Sequence, residues 1–416
     1  MISFTSDTNF FGNLNPEALV QEYGSPLYVY NENILRSQMK KMKNLISYPG
    51  FTANYSIKAN SNFSILKMAL EEGLNVDAMS PGEIYVLLKA GFPKEKIFFV
   101  PNNVSAEELS FAISHDIMTS LDSLSQLELY GSLHPGGKCA VRLNPGVGAG
   151  HHEKVVTAGK KTKFGIAAED VSDILVVAEK YNLTICGINQ HIGSLFMDGT
   201  PYLQAIENFL SFAKQFPDLD FIDFGGGFGI PYKKLDGQDS FELEEFGKTL
   251  DAILKNWVEE YGRSVVFKSE PGRFVVAEGC VLLGRVHAMK KNSGVTYCGT
   301  DLGMNVLVRP SMYDSWHDME VFRNGSLLDE KESKTVTVVG NICESGDIMA
   351  KDRELPPMEI GDIVCVLDAG AYGYSMASNY NNRLRPAEVL IQKDGSAKLI
   401  RRRDTFEDLV RNFPEA

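Results

Sequence analysis

The sequence predicts a (β/α)8 barrel followed by a second, mainly β domain. Three observations predict it. Between about residues 50 and 275, eight short apolar runs alternate with longer segments of helical period. Beyond residue 275 the pattern becomes strand-like with little helix between the runs. The residues that end the eight runs are polar and chemically reactive, as expected of the C-terminal face of a barrel.

The eight predicted strands cover 52–57, 74–77, 97–100, 117–121, 139–143, 184–190, 219–224 and 265–269. Between the second and third, SPGEIYVLLKAG predicts a helix with Ser80 as N-cap, Pro81 in the first position and Gly91 as the stop. AEDVSDILVVAEKYN and PYLQAIENFLSFAKQF carry apolar residues at i, i+3, i+4 spacing. A doubly wound open sheet is the rival reading of such alternation. After residue 275, GCVLLGRVHAMK, KTVTVVGNI, DIVCVLDAG and AKLIRRR read as strands joined by turns. SPLYVYN near the N-terminus is one more strand signal, expected to join that β domain. The expected division is a barrel over 32–275 and a β domain from 1–31 and 276–416.

The 416 residues carry 41 Lys+Arg and 54 Asp+Glu, a net charge of −13. That acidic balance argues against nucleic acid or an anionic membrane as partner. No apolar stretch approaches the ~20 residues of a membrane span, and the start, MISFTSDTNFFGN, does not read as a signal peptide. The six cysteines are scattered singly with no zinc spacing, so free thiols in a reducing cytoplasm and no metal are expected.

The strand ends bring Lys58, Asp77, Asn102, Asp122, Asn144, His191, the glycines after Asp223, and Glu270 to one face. In ANYSIKAN, alternation puts Asn54, Ser56 and Lys58 on one side, so Lys58 is a candidate amine for nucleophilic use or a Schiff base. A lone lysine there is more often a surface residue. FIDFGGGFGI supplies Gly225, Gly226 and Gly227, whose backbone N–H groups suit a phosphate; the spacing matches neither GxGxxG nor a Walker loop. EPGR adds Gly272 and Arg273 at the next strand end. Glu270 suits the ring nitrogen of a planar electron-sink cofactor, its bland alternative being an ion pair with Arg142. His191, in HIGS, is an aromatic plate or a core histidine.

In the β domain, GNICESGDIMAKD and AGAYGYSMASNYNNR interrupt strand-like runs. They are ordinary loops or carriers of chemistry: a thiol beside a carboxylate, Cys343–Glu344, pairs a proton donor with an amine grip. VRPSMYD adds Arg309 and Tyr313, and an arginine suits a carboxylate.

In order along the chain, YSIKANSN, HIGS, DFGGGFGI, EPGRFVV, RPSMYD, CESGD and AGAYGYSMASNYN resemble diaminopimelate decarboxylase, a pyridoxal-phosphate family of the alanine-racemase-like fold. The resemblance runs from SPLYVY to LIRRR and implies meso-2,6-diaminopimelate as substrate, L-lysine and CO2 as products, and lysine biosynthesis as the setting. It implies that Lys58 binds the cofactor covalently, supported by Asp77 and Arg142, while His191 stacks on the ring and Glu270 pairs with its nitrogen. Ser194, Gly225, Gly226, Gly227, Gly272, Arg273 and Tyr372 would bind phosphate; Arg273, Arg309, Tyr313, Glu344 and Tyr372 would bind substrate. Cys343 would donate the proton, and the Cys343–Glu344 pair would come from the other subunit of a homodimer.

Three departures stand out. Asn189 occupies the place of a first histidine, Ala158 replaces a glycine in the loop after Arg142, and NNRLRP replaces NSRPRP. The rivals are a decarboxylase of the same fold acting on ornithine, arginine or a D-amino acid, and a non-catalytic binding protein. Arg273 with Arg309 speaks against the first, Lys58 with Cys343 against the second.

Overall fold

The computed structural model describes residues 3–144, 146 and 163–414; Ala158 and most of its loop lie outside them. The chain forms two compact units. One is Gln38–Ile230 with Ser240–Val275; the other is Met1–Ser37, Pro231–Asp239 and Val276–Ala416. The second thus takes in a short segment, Pro231–Asp239, that the sequence pattern does not set apart.

Strand β1 (Leu27–Asn31) belongs to the β unit. The barrel strands follow: β2 (Phe51–Ser56), β3 (Asn75–Ala78), β4 (Ile97–Phe99), β5 (Met118–Leu121), β6 (Lys138–Asn144), β7 (Thr184–Asn189), β8 (Phe221–Asp223) and β9 (Val266–Ser269). Each pairs in parallel with the next, and β9 closes on β2 through Phe267↔Phe51, so the barrel is closed rather than an open sheet. The helix after β3 spans Pro81–Ala90; Ser80 Oγ accepts from Glu83 N at 3.2 Å and Gly91 ends it at φ +97°. Only a residue without a Cβ takes that left-handed turn cheaply.

Alternation along the strands divides the interior into two levels. Phe98, Ala140, Cys186 and Phe221 form an apolar cluster, with the two rings edge-to-face at 5.2 Å. Nearer the C-terminal ends the inward residues are polar and buried: Asn54, Ser56, Asp77, Ser120, Arg142, Asn189 and Asp223. The lower level fills the barrel and the upper level gives it chemistry.

The β unit is built on a ten-stranded sheet. β1 lies between Cys280–Asn292, antiparallel with Val29↔Val281, and Ala387–Ile391, parallel with Val29↔Val389. The N-terminal strand therefore joins the β unit, as its apolar run predicts. Val29, Val281, Leu283, Cys365 and Val389 pack with Phe10 in one core. Burying each such side chain contributes ~1.5–3 kcal/mol, which holds the two chain ends in one unit.

Candidate active site

In the barrel the polar level gathers acids and bases. Ser56 Oγ donates to Asp77 Oδ2 at 2.8 Å. Burial, then the neighbouring Glu270, pushes the Asp77 carboxyl well above the usual range, while the Lys58 ammonium pulls it back. Burial also raises Glu270, against Lys58, Arg142 and Lys268. Lys58 thus acts electrostatically on both acids and on His191. It does not lie on the strand, however. β2 ends at Ser56, and Lys58 sits in one turn of 3-10 helix, Ile57–Ala59, just beyond it. Asn54 and Ser56 do share the inward face, reaching Asp223 and Asp77, and the strand alternation ends with them.

His191 accepts a hydrogen bond at Nδ1 from Gly226 N at 3.2 Å. Burial first, then Lys58 and Arg142, push its pKa well down, so the ring is neutral with its proton on Nε2. The guanidinium of Arg142 lies 4.6 Å from the Phe164 ring centre. No ion pair joins Arg142 to Glu270 among the described residues. The bland alternative for Glu270 is therefore not what the geometry gives.

The glycine turn is tight. A Cβ on Gly225 would stand 2.4 Å from Gln190 O, and one on Gly226 2.0 Å from Glu270 O. Gly225 (φ +73°) and Gly227 (φ +123°) also use backbone conformations that other residues rarely adopt. Asp223 Oδ1 accepts from Gly225 N at 2.8 Å and fixes the start of the turn. Beside it, Arg273 Nη2 donates to Ser194 Oγ at 3.1 Å, and Gly272 O accepts from Val275 N.

Three buried or half-buried barrel residues carry no signal in the sequence reading: Gln190, Asp223 and Lys268. Asp223 is wholly buried and pushed well up by burial and by Glu270. Lys268 Nζ lies 3.6 Å from the Phe221 ring centre, and burial lowers its pKa. Period-2 alternation along β8 and β9 would have turned both inward. Asn189 Oδ1 accepts from Ser120 Oγ at 2.5 Å, while its Nδ2 is buried without a hydrogen-bond partner among the described residues.

The remaining predicted residues lie in the β unit. Arg309 is 2% exposed: Nη1 bonds His317 Nε2 at 2.7 Å, Nη2 bonds Ser315 Oγ at 3.3 Å, and the guanidinium stacks on Tyr232 at 4.6 Å. Tyr313 ends the same short helix, Arg309–Tyr313. Cys343 and Glu344 are exposed and touch the second polar stretch. Cys343 N donates to Asn381 Oδ1 at 3.0 Å, Asn381 Nδ2 donates to Cys343 Sγ at 3.1 Å, and Tyr380 OH donates to Glu344 Oε1. Tyr372 has φ +58°, uncommon for a tyrosine.

The barrel residues fit a phosphorylated, ring-nitrogen cofactor. Glu270 Oε1 is buried without a hydrogen-bond partner among the described residues, and the glycine turn has no room for side chains. One offers an acceptor to a ring N–H, the other backbone donors to an anion.

Fold and site define a barrel-type pyridoxal-phosphate enzyme, and residues 32–277 match the family model described as pyridoxal-dependent decarboxylase, pyridoxal binding domain. The chain is 39% identical over 409 residues to the diaminopimelate decarboxylase of Methanothermobacter thermautotrophicus, covering 96% of this chain and 94% of that one. A crystal structure of a diaminopimelate decarboxylase superposes with TM-score 0.88 at 32% identity, covering 97% and 98% of the two chains. The Helicobacter pylori enzyme complexed with L-lysine superposes with TM-score 0.87 at 31% identity, covering 96% and 100%. The chain belongs to the diaminopimelate decarboxylase family.

Proposed function

We propose that this chain is a pyridoxal-phosphate-dependent carboxy-lyase that converts meso-2,6-diaminopimelate to L-lysine and CO2, the last step of lysine biosynthesis. The observation that carries the reading is the barrel cluster: Lys58 acting on Glu270, and a buried Glu270 oxygen left without a hydrogen-bond partner among the described residues.

Lys58 would hold the cofactor's carbonyl carbon and Glu270 its ring nitrogen. Gly225, Gly226, Gly227, Ser194, Gly272, Arg273 and Tyr372 would hold its phosphate. Once bound, pyridoxal phosphate supplies an electron sink for the pair left at Cα when the carboxylate departs. His191, being neutral, offers a flat face that does not repel a cationic ring. Asp77 interacts with the Lys58 ammonium, and Arg142 acts together with Lys58 on Glu270 and His191.

Arg273 and Arg309 are assigned to the carboxylate that is kept, and Tyr313 and Tyr372 to further contacts with the substrate. Arg309 is pre-set for that grip by His317 and Ser315, so little side-chain entropy is lost on binding. Glu344, steadied by the Tyr380 hydroxyl, is assigned to the distal ammonium. Cys343 Sγ, held by Asn381 Nδ2, is assigned to deliver the proton that replaces CO2 at Cα. We place these reactions in the cytoplasm, in a homodimer whose subunits lend Cys343 and Glu344 to each other's sites. No described helix is long and apolar enough to cross a membrane.

The test is incubation of the pyridoxal-phosphate-loaded protein with meso-diaminopimelate. One L-lysine and one CO2 per substrate consumed are expected. Consumption without CO2 release would contradict the reaction type.

A further inference from the structure

We propose that Tyr202 is a positioning residue for the cofactor site: its hydroxyl holds the Gly225–Gly226 peptide in the orientation that gives His191 Nδ1 a donor. The helix Thr200–Ala213 carries Tyr202 in its first turn, and Tyr202, Ala205, Ile206 and Phe209 recur at i, i+3, i+4 and i+7 on its buried face. Tyr202 is 1% exposed. Its ring stacks on Phe196 at 5.3 Å and on Phe246 at 5.6 Å between centres. A phenol buried so deeply needs a partner for its O–H. It finds one in the glycine turn, donating to Gly225 O at 2.8 Å, with Phe224 O second at 3.2 Å. Burial first, then Asp223 and Glu270, pushes the hydroxyl well above its ordinary range, so it stays a donor.

Gly225 O is doubly held, because Glu270 N also donates to it at 2.9 Å. In a trans peptide the C=O and the following N–H point in opposite directions. Holding Gly225 O toward Tyr202 and Glu270 therefore aims Gly226 N–H the other way, where it donates to His191 Nδ1 at 3.2 Å. A backbone N–H can only donate, so Nδ1 carries no proton and the neutral ring keeps its proton on Nε2. Turning the peptide over would point Gly225 O toward Nδ1, acceptor against acceptor, and the ring would have to shift its proton or its plane. Neither glycine has a Cβ to resist that turn. The partners of the carbonyl set its orientation, and of its two donors Tyr202 is the one supplied by a side chain.

Phe196 completes the bracket. Its N donates to Gly227 O at 2.8 Å, and its O accepts from Gly229 N at 2.9 Å. The Tyr202–Phe196 stack thus joins two fastenings of the turn, one at Gly225 and one at Gly227 and Gly229. His191 and Phe196 are the two ends of HIGSLF, so ring plate and glycine turn are held as one piece. This role rests on the assignment of His191 and the glycine turn to the cofactor.

Tyr202→Phe removes one oxygen and keeps the stacked ring, so it tests the hydroxyl without emptying the core. Equilibrium dialysis of the holoenzyme should show Kd for pyridoxal phosphate raised about fivefold, the loss of one neutral hydrogen bond. In a His191→Phe background, which keeps an aromatic plate but has no Nδ1, the same substitution should change Kd by less than about twofold. Equal losses in the two backgrounds would mean that Tyr202 does not act through His191 and would overturn the proposal, as would an unchanged Kd in Tyr202→Phe itself. Long-range proton–nitrogen correlation spectra of histidine-labelled wild-type holoenzyme should place the His191 proton on Nε2, and a proton on Nδ1 would overturn the proposal without any variant. Gly226→Ala separates two failures. If it weakens pyridoxal phosphate binding and Tyr202→Phe does not, Tyr202 alone loses its role; if neither weakens it, the assignment of the turn to the cofactor falls as well.

Discussion

Replacing Gly226 by alanine tests the cofactor cradle with one methyl group. The new Cβ would stand 2.0 Å from the carbonyl oxygen of Glu270 and 2.9 Å from its carbonyl carbon, where ordinary contact begins near 3.4 Å. Both atoms are backbone, so no side chain can swing away. Nor can the two segments part freely, because Glu270 N donates to Gly225 O at 2.9 Å. Overpacking costs ~1–3 kcal/mol, and losing that hydrogen bond adds about 1 kcal/mol. The total of ~2–4 kcal/mol corresponds to a roughly 30- to 1,000-fold weaker hold on pyridoxal phosphate if the strain falls on binding. Titration of cofactor-free protein, followed by visible absorbance, reads the binding loss, and thermal melting reads any share that falls on stability. Gly82→Ala is the control. Its nearest neighbour is Ser80 Oγ at 3.6 Å, so neither affinity nor melting should fall. Gly226→Ala protein with unchanged cofactor affinity and unchanged melting would show that the turn has room for a side chain.

Other expectations follow from the same geometry. Lys58→Ala should release pyridoxal phosphate on dialysis and show no turnover; variant protein that keeps a covalently bound cofactor would remove Lys58 from its role. Asp223→Ala should weaken pyridoxal phosphate binding about tenfold by freeing Gly225 N, while pyridoxal without its phosphate should lose less; equal losses would mean that Asp223 does not act through the turn. Asn381→Ala should lower kcat more than KM and slow iodoacetamide capture of Cys343, and an effect on KM alone would contradict a positioning role. His191 is neutral in the fold but protonates in the unfolded chain below about pH 6.5. Protonation therefore favours the unfolded state, and this contribution to stability is lost as pH falls through that value. From pH 7.5 to 5.5, cofactor-free wild type should lose about 1.4 kcal/mol more than His191→Asn in denaturant titrations. Equal losses would show that the ring protonates in place.

The alternation of apolar runs made the barrel legible, because strand and helix periods differ and each run ended in a polar residue. β1 was legible for the same reason: all five of its residues are buried. Lys58 shows where the pattern stops. Alternation ran two residues too far, since no local signal marks the shift from β2 to a 3-10 turn. The glycine turn was legible as a tight turn, but its fastening by Asp223 was not, because that contact depends on a buried carboxylate bending back to a backbone N–H. Arg309 could be singled out beside Tyr313, yet its partners His317 and Tyr232 come from other segments, and sequence spacing does not bring them together. The clasp between Cys343 and Asn381 spans 38 positions and was likewise invisible.

A direct comparison of substrates decides what the enzyme acts on. The pyridoxal-phosphate-loaded protein would be offered meso-diaminopimelate, L-ornithine and L-arginine separately at equal concentration, with CO2 release and amine product measured for each. The carboxylate grip proposed for Arg273 and Arg309 predicts L-lysine and CO2 from meso-diaminopimelate, with ornithine and arginine decarboxylated at least about 100-fold more slowly, the scale of leaving a charged grip unpaired. Putrescine or agmatine forming as fast as lysine would contradict it.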